Sequence, residues 1–213
     1  KGNQVTGTFL RTSGDYRFLQ GNVSGDSLFV SYFDGSGVYM LRAKVKGNAF
    51  SGRFTSGLSG ERKVEAKLDP NAALPDLKKL TFLKPGFDRI DFKMPTTKGE
   101  QISLQDERFK NKVVVIELMG SWCPNCLDES RYLSPFYKKY RSKGVEVLGL
   151  AFEYSPDIKI SGPKMDNFQK KIGIEYPLLF AGTPDEQTIA KVLPMLSQMN
   201  GYPTTFIIDK KGL

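Results

Sequence analysis

Residues 5 to about 68 are short apolar or aromatic runs separated by glycine-containing turns: GNVSGD, FDGSG, VKGN and FSGRFTSG. Period-two alternation is visible in SLFVSYF and VYMLRAKV, and turn signals recur about every 8 to 12 residues, the spacing of an antiparallel meander. The pattern predicts a small all-β domain over 1–70. Its turns resemble one another, but the strands between them keep no fixed period, so the segment is not a repeat array. The aromatic residues Tyr16, Phe18, Phe29 and Tyr32 are assigned no function, because alternation makes most of them core. DPNAALPDLKKL, residues 69 to 80, holds two prolines, each of which disfavours helix at the residue before it. A linker is set at 71–80.

Beyond residue 80 the period changes. VVVIELMG (113–120) is an apolar run of strand length, PNCLDESRYLSPFYKKYRSKG (124–144) carries apolar residues at helical spacing, and VEVLGLAF (145–152) is apolar again. Strand, helix and strand with fully apolar strands predict a parallel βαβ unit. A helix around MDNFQKKIG, a strand at YPLLF, a helix near DEQTIAKVL and a strand at TTFIID complete an α/β domain over 81–213, with a central mixed sheet flanked by helices. Pro135 falls inside the first helix, where a kink is expected.

Composition narrows the chemistry. With 213 residues, 39% of them hydrophobic, the chain has material for two small domains with packed cores. The net charge of +8 is spread over both halves, and neither a basic stripe nor a known reading motif argues for nucleic acid. No apolar run approaches the roughly 20 residues that span a bilayer. A chain opening on lysine instead of methionine reads as one that begins after a removed signal or anchor. The absence of histidine removes the commonest metal ligand and general base, so acid–base work falls to carboxylates, thiols or water.

Both cysteines of the chain lie in GSWCPNCLDE (120–129), directly after the only tryptophan. The strand ends at Gly120 and the helix begins around Pro124, which places Cys123 at a helix N-terminus, where unpaired N–H groups and the helix dipole favour a thiolate. Cys123 is the predicted nucleophile. Cys126, nearly one turn on and deeper, is placed to resolve a mixed disulfide. Pro124 is tolerated in the first turn, where its missing N–H would have no helical partner. A structural disulfide enclosing two residues would stabilise little, and two cysteines without histidine cannot supply the four ligands of a zinc site. A redox pair is the reading that remains.

GSWCPNCLDE after an apolar strand, followed by GYPTTFIIDKKG, resembles the thioredoxin superfamily, and within it the extracytoplasmic reductases of the TlpA, ResA and CcmG type. The resemblance covers residues 81 to 213. FKNKVVVIELMGSWCPNC shares that branch's lysine, strand, tryptophan and cysteine layout, FKMPTTKGEQISLQDERF resembles its N-terminal hairpin, and the β domain in front resembles the extension of some bacterial TlpA-like proteins. It implies a thioredoxin-like fold, reduction of protein disulfides outside the cytoplasm, and no metal and no cofactor beyond a redox-active Cys123–Cys126 disulfide. The implied partners are protein disulfide substrates, with an apocytochrome of cytochrome c maturation, a folding client and another oxidoreductase all open, and an upstream thiol electron donor. Membrane anchoring would run through a segment outside this chain. The resemblance also implies a cis peptide before Pro203, with the backbone of Tyr202 pairing with an extended substrate segment. It further implies a strand and a closing helix after TTFIID, so the domain is read as C-terminally incomplete.

Two acids compete for proton transfer. Glu117 interrupts the apolar run six residues before Cys123, where thioredoxins carry a buried aspartate, and the neighbouring strand VEVLGLAF offers it no lysine. Glu129 follows Cys126 by three residues on the same helix face and matches a glutamate of the ResA branch; its bland reading is a solvated helix residue. Trp122 is read as a lid beside the thiols that contacts substrate. Two rivals stand: a peroxiredoxin-like peroxidase, suggested by VLGLAFEYSPD but lacking a Thr-x-x-Cys context, and a non-catalytic binding or scaffold module.

Overall fold

The computed structural model describes every residue except 1, 13, 16, 17, 36, 58, 77 and 78. Tyr16 and part of the 71–80 segment therefore lie outside the described residues. The chain divides into two compact units, Lys1–Pro75 and Asp76–Leu213. The division falls inside the proline-bearing stretch.

The first unit is a six-stranded antiparallel sheet in the order β1-β4-β5-β6-β7-β8: β1 (Gln4–Gly7), β4 (Leu19–Ser24), β5 (Ser27–Phe33), β6 (Val38–Lys46), β7 (Ala49–Ser56) and β8 (Glu61–Lys67). A short hairpin of β2 (Leu10–Arg11) and β3 (Gly14–Asp15) precedes β4. From β4 onward each strand pairs with the next in sequence, as a meander requires. One face holds the core, Leu19, Val30, Leu41, Ala43 and Phe54, with Phe9 meeting Phe54 edge-to-face. Alternation does not bury the aromatics as expected: Phe18 and Phe29 are exposed. Phe29 pairs with Asn22 and Arg42, one position out of phase with buried Val30, and in a pleated strand that turns it to the opposite face.

The second unit opens with the hairpin β9 (Lys93–Pro95) and β10 (Gln101–Ser103). Its four-stranded sheet runs β13-β12-β11-β14, where β11 is Val113–Met119, β12 Val145–Phe152, β13 Leu178–Gly182 and β14 Thr204–Ile208. The first three are parallel, and β14 is antiparallel to β11. Helices α1 (Pro124–Tyr140), α2 (Ile158–Ile172) and α3 (Glu186–Val192) connect them in turn. Because side chains alternate along a strand, β11 feeds two cores. Val114, Ile116 and Leu118 pack with Leu148, Leu150 and Leu179 on one face; Val115 and Met119 pack with Leu133, Met165 and both cysteines on the other. Among the described residues no helix is long and apolar enough to cross a membrane.

Two elements differ from the sequence reading, and a third, α1, keeps Pro135 inside one helix as that reading has it. Helix α2 begins at Ile158, seven residues before MDNFQKKIG, and passes through Gly162 and Pro163, the two residue types of lowest helix propensity. The Asp157 carboxylate caps it by accepting from Lys159 N–H at 2.8 Å, and Pro163, in the second turn, takes from Lys159 O its usual donor. Strand β13 begins two residues later than YPLLF, since Pro177 uses its carbonyl on Gly149 N–H before regular pairing starts. Helix α1 runs as one element through Pro135, whose ring deprives Arg131 O of its usual donor.

Candidate active site

β11 ends at Met119, and the chain turns through Gly120, Ser121 and Trp122 into α1. Gly120 is required there, because a Cβ would meet the Trp122 indole nitrogen and stand 2.9 Å from Phe152 O. Cys123 is the N-cap of α1, with extended backbone angles and Pro124 as the first helical residue. Its Sγ accepts the N–H of Cys126 at 3.3 Å, the contact a helix N-terminus offers an anion. Both cysteines are free thiols; Cys123 is 6% exposed and Cys126 0%.

This geometry separates the two sulfurs chemically. Cys123 is held below the ordinary thiol range, first by the Cys126 thiol donating to it and then by the N–H groups of Cys126 and Asn125, against burial and the Glu129 charge. Cys126 is pushed far up by burial and by its neighbour Cys123. One sulfur is favoured as the thiolate and the other keeps its proton.

The side of the sheet that carries the thiols also carries Glu117, between Val115 and Met119 on β11. It is fully buried. Ser130 Oγ on α1 donates to both its oxygens at 3.0 Å, and Tyr176 Oη donates at 3.3 Å. Burial, then the negative charge of Glu129, push Glu117 up to about 8, although the two hydroxyl bonds pull the other way. Its charge is felt by Cys126, and that of Cys123 is felt by it. Glu129 is half-buried and accepts a hydrogen bond from Thr205 Oγ1 on β14.

From the other side the loop before β14 closes on the pair. The Tyr202–Pro203 peptide is cis, and Cys123 Sγ–H donates to Tyr202 O at 3.7 Å. Trp122 meets Tyr202 edge-to-face at 5.5 Å, stacks on exposed Tyr154 at 4.7 Å, and donates its indole N–H to Phe152 O at 2.9 Å. The Tyr202 hydroxyl is buried without a hydrogen-bond partner. Cys123, Cys126, Trp122, Pro124, Tyr202 and Pro203 thus converge, with Glu117 beneath the pair on the sheet and Glu129 tied to β14.

Sequence reasoning missed four contributors: Ser130 and Tyr176, which hold Glu117, Thr205, which holds Glu129, and Glu153, which holds Ser121. Ser130 carried a signal, being one helical turn past Cys126 on the same face. The other three come from separate elements and become neighbours only when the sheet forms. Among the described residues no group of three or more His, Cys, Asp or Glu side chains could hold a metal ion.

A model of the AhpC/TSA family matches residues 85–213. Among curated relatives, the thiol-disulfide oxidoreductase ResA of Bacillus thuringiensis subsp. konkukian is 31% identical over 127 residues, 60% of this chain and 65% of its own length. That of Bacillus subtilis is 29% identical over 130 residues, 61% of this chain and 64% of its own length. The chain therefore spans somewhat less than two thirds of these relatives. A DsbF homologue from Corynebacterium diphtheriae of known structure is similar over 66% of this chain and 83% of its own, with 23% identity and a TM-score of 0.48.

Proposed function

The chain belongs to the AhpC/TSA family, and on that premise we propose that it is a thiol-disulfide oxidoreductase whose working pair is Cys123 and Cys126. The observation that carries this reading is the asymmetry of the two sulfurs, one accepting a helix N-terminal N–H and facing a backbone carbonyl, the other fully buried behind it. The Cys123 thiolate attacks one sulfur of a substrate disulfide and expels the other as a thiolate. Cys126 then loses its proton, attacks Cys123 Sγ and releases the second substrate thiol, so that two electrons pass to the substrate and the pair ends as a disulfide. Glu117, poised near 8, takes the Cys126 proton in its ionised form, a fraction that grows as pH rises toward 8, while Glu129 acts through its charge. The backbone of Tyr202 is the edge on which an extended peptide pairs, with Trp122 beside it.

The finer reading is of a protein-disulfide reductase acting outside the cytoplasm, drawing electrons from an upstream thiol donor and needing no cofactor other than the dithiol. Support comes from the naming of the ResA relatives as thiol-disulfide oxidoreductases. The test is reduction of insulin disulfides with dithiothreitol as donor. Cys123→Ser is expected to abolish turnover, and Cys126→Ser to accumulate a mixed disulfide visible on a non-reducing gel. Full turnover by Cys123→Ser would overturn the reading, and peroxide consumption without insulin reduction would move it to a peroxidase.

A further inference from the structure

Glu153 is a buried carboxylate that the thiol chemistry leaves unused. It is the first residue after β12 and 2% exposed, and among the described ion pairs none involves it. Both of its oxygens are taken up by one residue: Oε1 accepts Ser121 N–H at 2.8 Å, and Oε2 accepts Ser121 Oγ–H at 2.9 Å. Its own N–H donates to Gly182 O at 2.7 Å, tying its backbone to the end of β13. On either side, Phe152 O accepts the Trp122 indole N–H and the Tyr154 ring stacks on Trp122. Three consecutive residues therefore hold the two that precede the nucleophile.

Burying a carboxylate without a cation costs several kcal/mol in general, and an apolar residue would fill this place in the core without that cost. What the carboxylate provides and an apolar residue cannot is a two-point grip on the main chain and side chain of Ser121. The turn from Gly120 to Cys123 is closed by Cys123 N–H on Gly120 O at 3.0 Å, so fixing Ser121 fixes where the Cys123 sulfur stands relative to Cys126 N–H. The geometry points to Glu153 as a positioning residue: a clamp that holds the Ser121–Trp122 turn and thereby keeps Cys123 seated at the α1 N-terminus. It touches neither sulfur among the described hydrogen bonds, and acts through Ser121.

The proposal rests on the reading of Cys123 as the attacking thiolate, and its test uses a readout that needs no disulfide substrate. The rate of Cys123 alkylation by iodoacetamide at pH 7 is measured on the full chain, together with the emission of Trp122, the only tryptophan. Glu153→Ala is expected to slow alkylation at least about tenfold and shift the emission to the red, within the roughly hundredfold that an ångström of misplacement can cost. Glu153→Gln, whose amide oxygen still accepts Ser121 N–H and whose amide nitrogen can donate to Ser121 Oγ, is expected to stay within about threefold of wild type. A folded Glu153→Ala that alkylates at the wild-type rate overturns the clamp, and so does a Glu153→Gln as slow as Glu153→Ala. Should Glu153→Ala fail to fold, Ser121→Ala carries the test: it strands Oε2, so slower alkylation supports the clamp and an unchanged rate and emission overturn it. Failure of the oxidoreductase reading looks different, as a wild-type chain whose Cys123 alkylates readily but which reduces no insulin.

Discussion

Cys123 and Cys126 carry the same side chain three residues apart, yet their surroundings drive them in opposite directions. Alkylation of Cys123 should therefore reach half its maximal rate below the roughly 8.5 of an ordinary thiol, while Cys126 stays unmodified through about pH 10; mass-spectrometric mapping of the carbamidomethylated sites across pH checks both. Equal labelling of the two at pH 7 would refute the asymmetry. Glu117 makes a second residue-scale prediction. Its folded value of about 8 stands against roughly 4.3 in an unfolded chain, so between those values the folded protein holds a proton that the unfolded chain has released. Glu117 thus favours folding fully below pH 4 and loses that contribution as pH rises to 8, at about 1.4 kcal/mol per pH unit at most. The stability of Glu117→Gln minus that of wild type, from urea titrations, should climb from pH 5 to 8 and level off above it; a flat difference sinks the assignment. The cysteine pair and Glu117 were legible in the sequence because spacing and an acid in an apolar run are local signals. Glu153 was not, since its partner lies 32 residues away on another element and nothing in FEYSPD marks its carboxylate as buried.

At the scale of elements, the site depends on the join between β11 and α1 more than on either alone. Gly120 sits at that join with its Cα turned toward Phe152 O and the Trp122 ring. Gly120→Ala must displace backbone or indole, and overpacking of this kind costs about 1–3 kcal/mol. The expected outcome is a lower Tm together with a change in Trp122 emission, because the indole N–H bond to Phe152 O is what the new methyl crowds. A variant that loses stability with unchanged emission would place the strain elsewhere. The elements around this join were legible where apolar runs were long, as in β11 and β12, and misjudged where local chemistry overrode pattern. In α2 the Asp157 cap starts a helix across Gly162 and Pro163, which propensity alone would reject. One face of the helix still buries Ser161, Gly162, Met165 and Phe168, and that packing decides the matter.

At the scale of the whole chain, every group of the candidate site comes from the second unit, between Glu117 and Thr205, while the first unit has a separate core of its own. That core is a single sheet face whose strands approach one another closely at Gly52. A Cβ there would run into Arg42 O and stand 2.6 Å from Ala43 Cα, the backbone of the neighbouring strand β6. No side chain can rotate away from that collision, so Gly52→Ala must part β6 from β7 where Gly52 faces Ala43. The expected loss is at least about 1–3 kcal/mol, or roughly 4–8 °C of Tm per kcal/mol for a unit of this size, read by far-ultraviolet circular dichroism as early loss of β signal. The sole tryptophan stands in the second unit, so its emission reports that unit by itself. Because no atom of the thiol site belongs to residues 1–75, Gly52→Ala is expected to leave Cys123 alkylation and Trp122 emission at their wild-type values at a temperature where this early part of the β signal has gone and the part from the second unit's own sheet remains. A parallel loss of alkylation would show that the β sheet contributes to the reactivity of the thiols, a dependence that neither the hydrogen bonds nor the packing of the site requires.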